Sequence, residues 1–172
     1  LLSGLLTFSI ALFYVSCEDE ATEPVVTYDS FSIQAAMTLD AGADANAEIV
    51  RMVPGSETQA VFVSSAINRL TVIDYTTTSL SFGKTYDLDP GSATAEMTSL
   101  DVSVKIGGEN YAAVCVAEAD CGKGKIMFVR LSDGVVVKEV EVGYNPDGTA
   151  FTKNGTHLIV ANEDDREDRP CK

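Results

Sequence analysis

The sequence is short of bases and of histidine. Twelve lysines and arginines face 26 aspartates and glutamates, a formal net charge of −14, and His157 is the sole histidine. A surface of that sign repels phosphate backbones and anionic headgroups, which argues against nucleic acid as a partner. It attracts cations instead, and it keeps an exported protein soluble. A single imidazole excludes a zinc site built on several histidines. A Ser-His-Asp triad would have to recruit His157 from the start of an apolar strand, and the Gly-x-Ser-x-Gly elbow is absent. Gly122-Lys123-Gly124-Lys125 lacks the spacing of a phosphate-cradling loop. Carboxylates are plentiful, but their spacing alone assigns no acid–base work. No residue is therefore assigned a catalytic role, and Ca²⁺ is the one cofactor left open.

Long hydrophobic runs are also missing. The longest, Leu1 to Val15, is too short to span a bilayer comfortably and has the length of a signal-peptide core. Ser16, Cys17 and then Glu18-Asp19-Glu20 stop it abruptly. Residues 1–17 read as a signal segment processed in one of two ways. Tyr14-Val15-Ser16-Cys17 resembles a lipoprotein box that would make Cys17 the lipidated first residue, although Tyr14 stands where an aliphatic residue is usual. Alternatively, a signal peptidase cuts just after Cys17. Both outcomes export the protein, to the surface or the extracellular space, and a lipid on Cys17 would be its only membrane contact. The run has no initiator methionine and no basic residues before it, so the record of the amino end reads as incomplete. Residues 18–30, acidic and Pro-containing, read as a tether, and 31–172 as the folded part.

Cysteine is scarce too, with Cys115, Cys121 and Cys171 beside Cys17. In an oxidising compartment Cys115 and Cys121, in "CVAEADC", are placed to close a disulfide across a strand connection. The alternative is that Cys115 is a small buried hydrophobe in "YAAVCVA".

What is present is a succession of short β-rich segments separated by turn residues, with 45% hydrophobic residues overall and no sustained helical period. Strands are expected at 59–66, 68–75, 98–106, 111–117, 124–131, 135–142, 148–152 and 157–163. In 98–106, Leu100, Val102, Val104 and Ile106 alternate onto one face. Gly107-Gly108, Asp133-Gly134 and Asn154-Gly155 mark turns. The second, apolar strand of each group starts near residues 60, 112 and 157, a period of about 45–50 residues. Four short strands per repeat is the pattern of propeller blades. Such a sheet has two flat faces, each of which must pack on a neighbour, so its inner strands become continuous apolar runs such as "YAAVCVA" and "HLIVA". The fold class is therefore all-β, a β-propeller of four-stranded blades, with a β-sandwich as the alternative. About two to three blades of a larger set fit the text at this period, which reads as the amino-terminal part of a longer protein.

The stretch "VGYNPDGTAFTKNGTHLIVANED" resembles a segment of the choice-of-anchor I domain proteins. The matching positions are Val142-Gly143, Asn145-Pro146-Asp147, Phe151-Thr152 and Val160-Ala161-Asn162-Glu163. Upstream, 98–143 resembles the preceding blade of that family, and 47–75 its first blade. The family includes secreted or surface-attached bacterial and algal proteins, and the mesenchyme-specific cell-surface glycoproteins of animals, associated with biomineral formation. It is similar in fold to YVTN and WD-repeat propellers. The resemblance implies an extracellular seven-bladed propeller, of which this chain would hold part, the remaining blades being its neighbours.

Candidate site residues follow. The burst "NEDDREDR" offers Glu163, Asp164, Asp165 and Asp168 as hard oxygen ligands for Ca²⁺, with a solvated inter-strand loop as the plainer reading. Of these only Glu163 falls on the family motif. Asn154-Gly155-Thr156 is an N-glycosylation sequon that also fits a hairpin turn. The function expected is a secreted or surface-attached module, non-enzymatic, binding an extracellular protein, a surface, or a divalent-cation or mineral ligand. The alternative is a Ca²⁺-dependent propeller hydrolase of the phytase or phosphatase kind. That enzyme would need bases to grip phosphate, and Lys123, Lys125 and Arg130 form the only local cluster.

Overall fold

The structure is a computed structural model that describes residues 47–118 and 122–163. The signal segment at 1–17, the tether at 18–30, Cys121 and Asp164, Asp165 and Asp168 lie outside the described residues. The described part is all-β, with one 3-10 turn at Ser65–Ile67. Among the described residues no helix is long and apolar enough to cross a membrane.

Two four-stranded sheets and one two-stranded sheet follow one another along the chain. The first contains β1 (Val50–Met52), β2 (Gln59–Ser64), β3 (Arg69–Tyr75) and β4 (Leu80–Asp87). The second contains β5 (Ala95–Val102), β6 (Tyr111–Glu118), β7 (Lys123–Arg130) and β8 (Val136–Tyr144). The third pairs β9 (Pro146–Phe151) with β10 (Leu158–Asn162). Every neighbouring pair is antiparallel and consecutive in sequence, so each sheet is a simple meander. Such local connectivity is what short turns between β-branched runs produce.

The burial pattern explains the composition of each strand. β6 is buried along its interior, and its side chains alternate between two cores. Ala112, Val114 and Val116 join Val61, Val63, Leu70, Val72, Leu100, Val102, Met127 and Val129 between the first and second sheets. Ala113 and Cys115 join Ile126 on the opposite face, under Phe151, Leu158 and Val160 of the third sheet. A sheet covered on both sides leaves little room for polar residues, so β6 is apolar at every position from Ala112 to Ala117. Each fully buried valine contributes about 1.5–3 kcal/mol of burial free energy. Phe128 and Phe151 meet edge to face across the second contact, with centroids 6.5 Å apart.

Polar bonds stitch the sheets together at both ends. At one end lie the first strands of each sheet. Asp101 of β5 accepts the Phe151 backbone N–H of β9 at 2.6 Å and faces the Arg51 guanidinium of β1 at 3.6 Å. At the other end the Tyr86 hydroxyl of β4 donates to the Leu131 carbonyl at 2.7 Å, and Lys84 donates to the Ser132 carbonyl at 2.7 Å.

Two expectations are revised. The strand expected at 98–106 runs from Ala95 to Val102, and the alternation ends there. Ser103 keeps backbone pairing with Tyr111, but a tight Ile106–Glu109 turn then carries Ile106 into solvent at 44% exposure. β4 was not anticipated at all.

Candidate functional site

The motif residues at 142–163 are gathered into one junction. β8 ends at Tyr144 and β9 begins at Pro146, so Asn145 alone makes the corner. It does so with φ +46°, in the left-handed region that asparagine tolerates better than most side chains. From that corner the Asn145 carbonyl accepts the Glu163 N–H at 2.9 Å, and the Asn145 amide donates to the Glu163 carboxylate at 3.3 Å. Gly143 lies beneath the Asn162 side chain: a Cβ there would stand 2.8 Å from Asn162 Cγ. Pro146 is fully buried, and its carbonyl accepts the Thr98 hydroxyl from β5. The two ends of the motif thus clasp each other where the third sheet leaves the second. Asn162 and Glu163 themselves remain exposed.

Glu163 is the only one of the four anticipated calcium ligands within the described residues. Its carboxylate engages the Asn145 amide, and among the described residues no three His, Cys, Asp or Glu side chains are grouped to hold a metal ion. Asn154 is exposed at the tip of the β9–β10 hairpin. Its Oδ1 accepts the Thr156 hydroxyl at 2.8 Å and the Thr156 N–H at 3.2 Å, the bonding of an Asx turn. His157 is exposed and its Nδ1 contacts the Thr156 hydroxyl at 2.9 Å. Cys115 is a free thiol, fully buried, and burial followed by the nearby Asp147 carboxylate pushes its pKa up to about 12. Its expected disulfide partner, Cys121, lies outside the described residues.

The family model for the choice-of-anchor I domain matches residues 48–170, well over half of the chain. The chain belongs to the choice-of-anchor I domain family. No curated protein matches it. Membership in this family implies a secreted or cell-surface association.

Within this choice-of-anchor I domain the cluster of Lys123, Lys125 and Arg130 is already engaged. Lys123 contacts Glu141 at 2.6 Å and Lys125 contacts Glu139 at 3.1 Å, both across the β7–β8 pair. Arg130 grips Asp133 through two nitrogens, at 2.9 and 2.6 Å. The hydrogen bond and charge of each partner hold Lys123 and Arg130 above their ordinary pKa, and Arg130 holds the Asp133 carboxyl below its own. The β7–β8 register sets Tyr144 opposite Lys123 and Glu141 opposite Lys125, so Lys123–Glu141 and Lys125–Glu139 are diagonal contacts between neighbouring strands, while Arg130 and Asp133 meet within the turn. The sequence showed lysines close together but not the glutamates that the neighbouring strand brings diagonally across from them.

Proposed function

We propose that this chain forms part of a β-propeller that works as a binding module outside the cell, taking a protein partner, a surface, or a divalent-cation or mineral ligand without chemical turnover. The observation that carries the propeller reading is the second sheet, covered by a neighbour on each face while its first strand, β5, bonds to the first strands of both neighbours through Asp101. A two-sheet sandwich gives each sheet one buried face; blades arranged about an axis give each sheet two. An apolar groove of about 350 Å³ beside β10, lined by Phe128, Val137, Val140, Phe151 and Leu158, is of the kind that further strands of the third sheet would cover.

Binding is favoured over phosphate hydrolysis because Lys123, Lys125 and Arg130 are paired with carboxylates, which leaves that cluster ill suited to grip an anion. The acid-rich surface suits cations, and Glu163 with the acids that follow it is where Ca²⁺ would bridge the module to a ligand. In a eukaryotic host Asn154, exposed at a hairpin tip, would carry a glycan. A lipid on Cys17 would be the anchor.

Assaying the secreted protein on p-nitrophenyl phosphate, with and without millimolar Ca²⁺, tests the proposal. No turnover above the blank is expected. Calcium-dependent turnover would replace the binding reading with the hydrolase.

A further inference from the structure

The contact between the first and second sheets opens at its outer end into a cleft of about 320 Å³ that nothing above employs. Val53, Val72 and Leu131 give it an apolar floor. Its walls come from β3 and β4 on one side and from the turns at 105–110 and 131–132 on the other. That volume falls at the lower end of the small-ligand range.

The polar valences in the cleft are unevenly used. Asp74 is half-buried, and one of its carboxylate oxygens accepts the Gln59 amide at 2.9 Å while the other has no hydrogen-bond donor among the described residues. The Asn110 amide nitrogen is spent on the Pro54 and Ser103 carbonyls, at 3.2 and 2.8 Å, which leaves its oxygen as an acceptor. Lys84 donates one proton to the Ser132 carbonyl and keeps two. Lys105 and Glu109 make no ion pair among the described residues. The interior therefore lacks donors and the rim offers cations.

Local backbone geometry keeps the carboxylate accessible. The β3–β4 register shifts between Thr71 and Ile73, so Val72 faces two residues, Gly83 and Lys84. Such a bulge re-aims side chains, and here Lys84 is carried across to the second sheet. At Gly83 a Cβ would stand 2.8 Å from Asp74 Oδ2 and 3.0 Å from the Val72 carbonyl. Glycine is what lets the β4 backbone pass this close to that oxygen without a clash.

We infer that this cleft binds a small zwitterion of amino-acid type. Its ammonium would lie inward on Asp74, its carboxylate outward toward Lys105 and Lys84, and its aliphatic body on Val53, Val72 and Leu131. A bare anion is disfavoured by the net charge of −14 and by Asp74 and Glu109. Among the described residues no aromatic ring lines the cleft, which removes the surface that sugars stack on and that quaternary ammonium groups use. This inference is independent of the surface-binding proposal: it needs neither the propeller nor calcium.

Calorimetric titration of the purified protein with L-leucine up to about 10 mM, the range for a millimolar site, tests it. A saturable heat is expected with leucine, and none with isocaproate or isoamylamine, which each lack one of the two charges. Asp74→Asn should weaken leucine binding about tenfold or more, the loss of one charged hydrogen-bond partner. Because Asp74 also holds Gln59, Lys105→Met serves as a second variant on an exposed side chain and should weaken binding in the same direction. The inference is overturned by the absence of a saturable heat with leucine, by an equal heat with isocaproate or isoamylamine, by binding of glucuronate in its place, or by Lys105→Met binding unchanged.

Discussion

Single residues settle how closely the sheets approach one another. Gly134, in the β7–β8 turn, has φ +76°, and a Cβ on it would stand 2.1 Å from the Tyr86 ring of the first sheet. Both the backbone and the neighbour require glycine here. Gly134→Ala should cost about 2 kcal/mol or more in denaturant melts, since strain and a collision add; an unchanged midpoint would show that Tyr86 is free to move. The same tyrosine has its pKa raised, first by burial and then by Asp133, which suits a hydroxyl engaged with the Leu131 carbonyl. Cys115 supports a second residue-scale expectation. Its folded pKa, pushed up to about 12 by burial, lies above the ordinary thiol value, so the fold favours the protonated thiol. Its contribution to stability is full below the unfolded pKa, and falls as pH rises from near 9 toward 12. The native thiol should accordingly resist a disulfide reagent at pH 8 and react on unfolding, as read by absorbance. Fast labelling of Cys115 in the native protein would contradict its burial.

At the scale of strands, Asp101 is the residue to change. Its carboxylate serves the Phe151 N–H and faces Arg51, so it ties β5 to β9 and β1 together. Asp101→Ala would leave a half-buried N–H without an acceptor and should destabilise by about 1–3 kcal/mol. Asp101→Asn, which keeps an acceptor oxygen, should recover part of that in the same melts; equal losses in the two variants would argue against the bond. The inner strands were legible in the sequence for a physical reason. β6 and the centre of β7 are buried on two faces, so "YAAVCVA" and "IMFV" carry an unbroken apolar signal. β4 was not legible because it is an outer edge strand: only Leu80 and Tyr86 are half-buried, and Ser81, Gly83, Lys84 and Thr85 read as loop. The end of β5 was misjudged because Val104 and Ile106 continue the alternation of Leu100 and Val102, while Gly107-Gly108 turns the chain before they reach a core. Turn chemistry outweighed periodicity there. The junction of Asn145 with Glu163 was visible only as a motif. That its two ends bond to each other depends on β9 and β10 pairing, which brings residues eighteen apart together.

For the whole molecule, covering a sheet on both faces matters more than any one bond. A four-stranded meander with two apolar faces is insoluble alone and must be stacked, which is why the polar residues lie on outer strands and rims. Lys123, Lys125 and Arg130 of β7 are paired with carboxylates, which is the ground on which the proposed function sets cation binding ahead of anion chemistry. The most direct test of the central claim is a crystal structure of the protein as secreted. Sheets set around a common axis, with β1, β5 and β9 innermost and Asp101 between them, is the predicted result. Two sheets closed face to face as a sandwich, with the third packed elsewhere, would contradict it.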